Sequence, residues 1–179
     1  MEYTSPEPFT INIPDSVLYD LKNRLHQVRW PGELPDSDWD YGANLSYIQQ
    51  LVDYWRTQYD WRAQEKQMNR WQHFKTTIDG QGIHFICEHG KGPNPLPLII
   101  SHGWPGSFYE FMDVIGPLTD PAAHGGDPAD AFDVVVPSLP GYGFSDPPHE
   151  REVNISRMAD WFAVLMKDVL GYARYGVQG

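Results

Sequence analysis

Ser101-His102-Gly103-Trp104-Pro105-Gly106-Ser107, coming directly after the apolar run Pro97-Leu98-Ile99-Ile100, is the stretch whose reading decides the fold. An apolar run bounded by turn formers reads as a fully buried strand, and Gly103, Pro105 and Gly106 stop it abruptly. Ser107-Phe108-Tyr109-Glu110-Phe111-Met112 then reads as a helix opened by a serine cap, with Glu110 three residues on. The unit is strand, tight glycine loop, helix. At the carboxyl edge of a parallel sheet such a loop leaves backbone N–H groups free for an anionic oxygen, and open α/β sheets place their ligands at that edge. Taken alone, the stretch reads equally as a packed turn.

Downstream, the pattern repeats. Residues 119–130 form an acidic loop rich in Gly, Pro and Ala, and the run Phe132 to Val136, with three consecutive valines, reads as a second buried strand. It enters Pro137-Ser138-Leu139-Pro140-Gly141-Tyr142-Gly143-Phe144-Ser145, so two adjacent parallel strands would present glycine loops at one edge. Gly141 and Gly143 do not form a phosphate cradle, because the third glycine of a dinucleotide fingerprint and the lysine of a P-loop are missing. Asn154 or Ser156 can cap a helix in which Ile155, Met158, Phe162, Leu165, Met166 and Val169 form an apolar stripe, with Gly171 its left-handed terminator. Tyr172 to Gln178 begins a further strand.

Upstream, His73 to Asp79 and Ile83 to Glu88 read as strands joined through Asp79-Gly80-Gln81-Gly82, a hairpin signal. His73, His84 and His89 match no zinc spacing, Cys87 points to the other face of its strand from His84 and Glu88, and these histidines read as ordinary strand residues. The first 70 or so residues look helical and irregular. Ile13-Pro14-Asp15-Ser16 suits a helix start, Val17, Leu18, Leu21, Leu25 and Val28 follow at helical spacing, and Pro31 should stop that helix near Arg29-Trp30. After a loop over 31–43, Asn44 caps a second helix with Leu45, Ile48, Leu51, Val52 and Trp55 on one face, and a third runs from about Asp60 to Asn69. Trp30, Trp39, Trp55, Trp61 and Trp71 are five of the seven tryptophans, more aromatic surface than three short helices can bury among themselves. The segment 1–72 is therefore expected to wrap over the core formed by 73–179. Alternatively, some of these rings line a substrate pocket.

A chain of 179 residues, 41% hydrophobic, is long enough to bury a substantial core. Its net charge of −11 is unevenly divided: residues 1–75 hold 8 basic and 11 acidic side chains, residues 76–179 hold 5 and 13. Neither part offers a basic stripe, which argues against nucleic acid or an anionic membrane surface as partner. Cys87 is the only cysteine, so an internal disulfide is excluded. No apolar run approaches a membrane span, and Met1 to Thr10 lacks the features of a signal peptide, which leads us to expect a soluble, cytoplasmic protein.

The order hairpin, strand, glycine loop, helix, strand, glycine loop, helix, strand, with right-handed crossovers, is the order in which an α/β-hydrolase sheet begins. His102-Gly103-Trp104-Pro105 resembles the oxyanion motif of epoxide hydrolases, and Pro137 to Ser145 resembles the glycine loop after the next strand in that family. Val28-Arg29-Trp30-Pro31, Tyr54-Trp55, Tyr59-Asp60-Trp61-Arg62, Asn69, Thr77-Ile78-Asp79-Gly80 and Ile83-His84-Phe85 are similar to the amino-terminal segment of microsomal and juvenile hormone epoxide hydrolases. The likeness extends from about Pro8 to Gly179. Dehalogenases and peptidases of the same fold share His-Gly-x-Pro, so the specificity lies in its combination with the tryptophan-rich segment.

The resemblance implies hydrolysis of a small-molecule epoxide in two steps, with no cofactor and no metal. An aspartate at the nucleophile elbow opens the epoxide to an ester, lid tyrosines polarise the epoxide oxygen, and a histidine with an acidic partner activates the water that cleaves the ester. The N–H of Trp104 would be one oxyanion donor, with His102, Gly103 and Pro105 shaping its loop and Trp104-Pro105 a cis peptide. Tyr175-Gly176-Val177-Gln178-Gly179 resembles the approach to the elbow, which the family continues as Gly-Asp-Trp-Gly. The nucleophile is therefore expected two positions after Gly179, with the lid tyrosines and the histidine and acid later still. Asp146 and His149, separated by Pro147 and Pro148, stand where the family places no catalysis. The reading is the amino-terminal portion of an epoxide hydrolase, inactive by itself, its last strand left unpaired. A non-catalytic binding module, or a fragment of an esterase or peptidase of the same fold, are the alternatives.

Overall fold

Val134, Val135 and Val136 lie fully buried at the centre of a six-stranded sheet in the computed structural model, which describes residues 1–179. The strands are β1 (Glu7–Phe9), β2 (His73–Ile78), β3 (Gln81–Glu88), β4 (Leu96–Ile100), β5 (Phe132–Pro137) and β6 (Gly176–Gln178), in the spatial order β1-β2-β3-β5-β4-β6. β1, β2, β3 and β5 pair antiparallel, and β5, β4 and β6 pair parallel. β-Branched residues fill the central strands because both faces are covered. Val135 joins Ile83, Phe85, Cys87 and Ile99 in a core closed by Trp161, Leu165 and Met166. Strand alternation sends Val134 and Val136 to the opposite face.

The β2–β3 turn is tighter than the sequence suggests. Asp79 and Gly80 both take positive φ, 48° and 80°, as a two-residue hairpin turn requires, whereas Gln81 and Gly82 already belong to β3. β1 is a further difference: Glu7–Phe9, within a segment read as helical and irregular, adds an edge strand to β2.

Two compact units are present, one comprising Met1–Thr10 with Met68–Gly179 and the other Ile11–Gln67. In the second, α1 (Asp15–His26), α2 (Leu45–Thr57) and α3 (Trp61–Met68) follow the expected order. The Asn44 side chain caps α2 by accepting the Tyr47 N–H at 2.9 Å. α1 stops at His26, ahead of the expected Arg29-Trp30, since Val28 to Trp30 already lead into Pro31 outside the helix. Trp30, Trp39 and Trp55 remain exposed. Glu65 ties this unit together, accepting the Ile13 N–H at 2.7 Å, Arg62 at 2.6 Å and the Trp61 indole N–H at 3.3 Å. Burial pushes the Glu65 carboxyl up, but the Ile13, Arg62 and Trp61 hydrogen bonds outweigh it and hold the group below its ordinary value.

The helix expected from Ser107 is not formed. Ser107 caps Tyr109 N–H at 3.2 Å, but only a 3-10 turn, Phe108–Phe111, follows. Phe108 is buried against the rings of His73, His84 and Phe144, which fixes the chain direction, and Gly116 and Pro117 limit α4 to Ile115–Thr119. α5 (Ile155–Val164) starts at an Asn154 cap and continues as a π-helical turn, Leu165–Val169, before Gly171 at φ 77°. Ile155, assigned from the sequence to the apolar stripe, is 83% exposed. The last strand is also shorter than expected. Tyr172 is tethered by its hydroxyl to Asp133 at 3.0 Å, and β6 begins only at Gly176. No helix is long and apolar enough to cross a membrane.

Candidate functional site

The carboxyl ends of β4 and β5 lie side by side because the strands pair in parallel, Leu98 opposite Val134 and Ile99 opposite Val135. Both glycine loops therefore emerge at one sheet edge, as the sequence pattern implies. In the first loop the Trp104-Pro105 peptide is cis and the Gly106 N–H closes the turn on Gly103 O at 2.8 Å. A cis-proline at the third position of a four-residue turn defines a type VI turn. Trp104 stands at its outer corner, 82% exposed, and its N–H makes no main-chain hydrogen bond. Glu110 folds over Gly106, where a Cβ would lie 1.3 Å from its Oε1 and would turn that side chain away.

His102 is 4% exposed and joins the two loops. Its Nε2 accepts the Leu139 N–H at 3.1 Å. A main-chain N–H can only donate, so the proton sits on Nδ1, which donates to Gly103 O at 3.2 Å. The ring leans on Tyr142 at 5.4 Å.

Behind the second loop runs a buried chain of hydrogen bonds. Met68 O can only accept, so His73 donates to it from Nε2, at 2.9 Å. His73 Nδ1 then accepts from His84 Nε2 at 2.9 Å, and His84 Nδ1 accepts the Ser138 hydroxyl at 2.9 Å. The Ser145 hydroxyl donates to Ser138 O at 2.7 Å and accepts the His84 N–H at 2.9 Å, while the Ser138 N–H donates to His84 O at 2.8 Å. Burial pushes the His84 imidazole down to about 3, with His73 and Lys75 adding to the shift, and burial also lowers His73. Read from the sequence as ordinary strand histidines, the two are the centre of a polar network. The signal was the hairpin register, which puts His73 opposite Ile86 and His84 opposite Lys75, so that both rings share one face. His89 lies apart, exposed, with Asp133 at 3.5 Å.

A groove of about 690 Å³ opens beside Trp104. Ile99, Tyr175 and Val177 form its floor and Met158 and Phe162 of α5 one wall, so its surface is largely hydrocarbon. Asp146 and His149 do not reach toward it as a pair. Asp146 binds Lys75 at 3.3 Å and fills the space over Gly82, where a Cβ would lie 2.1 Å from its carboxylate.

A mixed sheet whose parallel strands carry glycine loops at their carboxyl ends is the layout of the α/β hydrolases, and residues 97–179 match the alpha/beta hydrolase fold. Residues 6–111, more than half of the chain, match the family described as Epoxide hydrolase N terminus, and the chain belongs to that family. It is 49% identical over 172 residues to a protein of Stigmatella aurantiaca (strain DW4/3-1) provisionally named an epoxide hydrolase, covering 96% of this chain and 39% of that one. Juvenile hormone epoxide hydrolase 2 of Ctenocephalides felis is 41% identical over 179 residues, with 98% and 38% covered. The solved structure of Aspergillus niger epoxide hydrolase superposes with a TM-score of 0.86 at 33% identity, covering 98% of this chain and 46% of that one. The chain thus spans about two fifths of the length of these curated relatives.

Proposed function

We propose that this chain supplies the amino-terminal portion of an enzyme that hydrolyses a small-molecule epoxide to a vicinal diol, and that its chemical contribution is the main-chain N–H of Trp104. In the reaction a carboxylate oxygen attacks an epoxide carbon, the carbon–oxygen bond of the ring breaks, and the alkoxide takes a proton from a lid tyrosine. Water, deprotonated by a histidine, then adds to the ester carbonyl. The tetrahedral oxyanion collapses by breaking the acyl carbon–oxygen bond, the leaving alkoxide takes the histidine's proton, and the acid so formed gives its proton back to the tyrosinate, which regenerates the carboxylate and releases the diol. A backbone donor aimed at that oxyanion lowers the second barrier, and loss of one such donor slows turnover on the order of 100- to 1000-fold.

The observation that carries this reading is the meeting of β4 and β6. Ile100 is in register with Gln178, the Ser101 N–H donates to Gln178 O at 2.8 Å, and a Cβ on Gly179 would lie 3.6 Å from Ser101 O. A nucleophile two positions beyond Gly179 would emerge beside the turn that bears the free Trp104 N–H. The hydrocarbon groove next to it suits the apolar part of an epoxide. His102, Gly103 and Pro105 hold the turn and do not touch substrate in this scheme. A lone buried thiol fits a reducing, cytoplasmic setting.

The purified 179-residue chain is expected to form no diol from styrene oxide, and to do so once the remaining part of an epoxide hydrolase is supplied. Diol formation by the chain alone overturns the proposal.

A further inference from the structure

We infer that His102 is a positioning residue that aims the Trp104 N–H, and that the buried His73, His84 and Ser138 chain holds His102 to that task. The inference rests on the epoxide hydrolase reading. Gly103 C=O and Trp104 N–H belong to one planar peptide, so whatever fixes the carbonyl fixes the direction of the N–H on the opposite side. Two donors fix it: the Gly106 N–H at 2.8 Å and His102 Nδ1–H at 3.2 Å. The imidazole presents a proton at Nδ1 because Leu139 N–H occupies Nε2.

Leu139 is in turn immobilised through its neighbour. The Ser138 hydroxyl donates to His84 Nδ1, its N–H donates to His84 O, and its carbonyl accepts from Ser145. Gly143, at φ 52°, packs so closely that a Cβ would lie 2.5 Å from Ser138 Oγ. Met68 O, His73, His84, Ser138, Leu139, His102 and Gly103 therefore form one continuous line of hydrogen bonds and peptide links. It ends on the peptide plane whose other side faces the reaction.

The test uses the assembled enzyme, this chain continued by the rest of an epoxide hydrolase. Since the oxyanion forms in ester hydrolysis, a misaimed donor slows that step and leaves alkylation intact. His102→Leu is expected to lower kcat on the order of 100-fold. KM should fall with it, kcat/KM should hold, and the covalent ester should accumulate as an enzyme-plus-epoxide mass. His102→Asn, whose amide can still donate to Gly103 O, should recover most of the loss. Ser138→Ala should show the same signature with a smaller fall in kcat, roughly fivefold for one net hydrogen bond. Unchanged kcat in His102→Leu overturns the inference. So does a parallel fall of kcat, kcat/KM and Tm that His102→Asn does not rescue, which marks a structural role only. If the unaltered enzyme forms no diol, the epoxide hydrolase reading fails first, and this inference with it.

Discussion

At the scale of single residues, His84 shows what burial does to an ionisable group. It is enclosed by the rings of Phe9, Phe108 and Phe144 and by His73, with Lys75 nearby, and both ring nitrogens are engaged in the neutral form. The unfolded chain takes up a proton near the ordinary value of 6.5, whereas the folded imidazole resists until about 3. Stability is therefore full above about pH 6.5 and falls as pH drops toward 3, by up to ~1.4 kcal/mol per pH unit. Urea midpoints measured from neutral to acid pH should show this slope, and His84→Gln should flatten it. Cys87 is the converse case. Burial, then Asp133 and Glu88, push its thiol up to about 12, so it should stay unreactive toward Ellman's reagent while the fold is intact and react on unfolding. The turn at Gly103-Trp104-Pro105-Gly106 was legible as a turn because neighbours in sequence close it. The link from His84 to Ser138 was not legible, because that serine lies 54 residues further along and only the pairing of β3 with β5 brings it there.

At the scale of elements, the α2 and α5 caps were readable since Asn44 and Asn154 act three residues away. The helix expected at Ser107 failed because burial of Phe108 decides that segment's course, a tertiary demand that local propensity does not contain. Glu65 is the same lesson in reverse. Nothing in the sequence around it singles it out, yet on α3 it holds Ile13, Trp61 and Arg62 together. Glu65→Ala should destabilise the helical unit by about 2 kcal/mol, since the Ile13 N–H and the indole lose their acceptor. Chemical denaturation followed by tryptophan fluorescence would register the loss. Gly143→Ala, strained at positive φ and pressed on Ser138, should be destabilising by about 1–3 kcal/mol in the same assay.

At the scale of the molecule, the sheet was readable as far as its hairpin and the side-by-side parallel pair β4 and β5, because parallel strands joined by crossovers leave few topologies. Its β1 edge was not: β1 is three residues long and shows no alternation of its own. The two edges differ in kind. Val177 of β6 is 72% exposed, and with its neighbours it offers an unpaired strand to other chains. The chain alone should therefore aggregate or require a partner, and Val177→Lys should raise its soluble yield, as sedimentation would measure. At the far side Pro8 deprives β1 of an N–H in the middle of its three residues, which discourages any further strand. The sheet is thus a template with a direction: it is stoppered at β1 and can lengthen only past β6. Any further strand that paired with this sheet would join beside β6 and take its hydrogen-bond register from it.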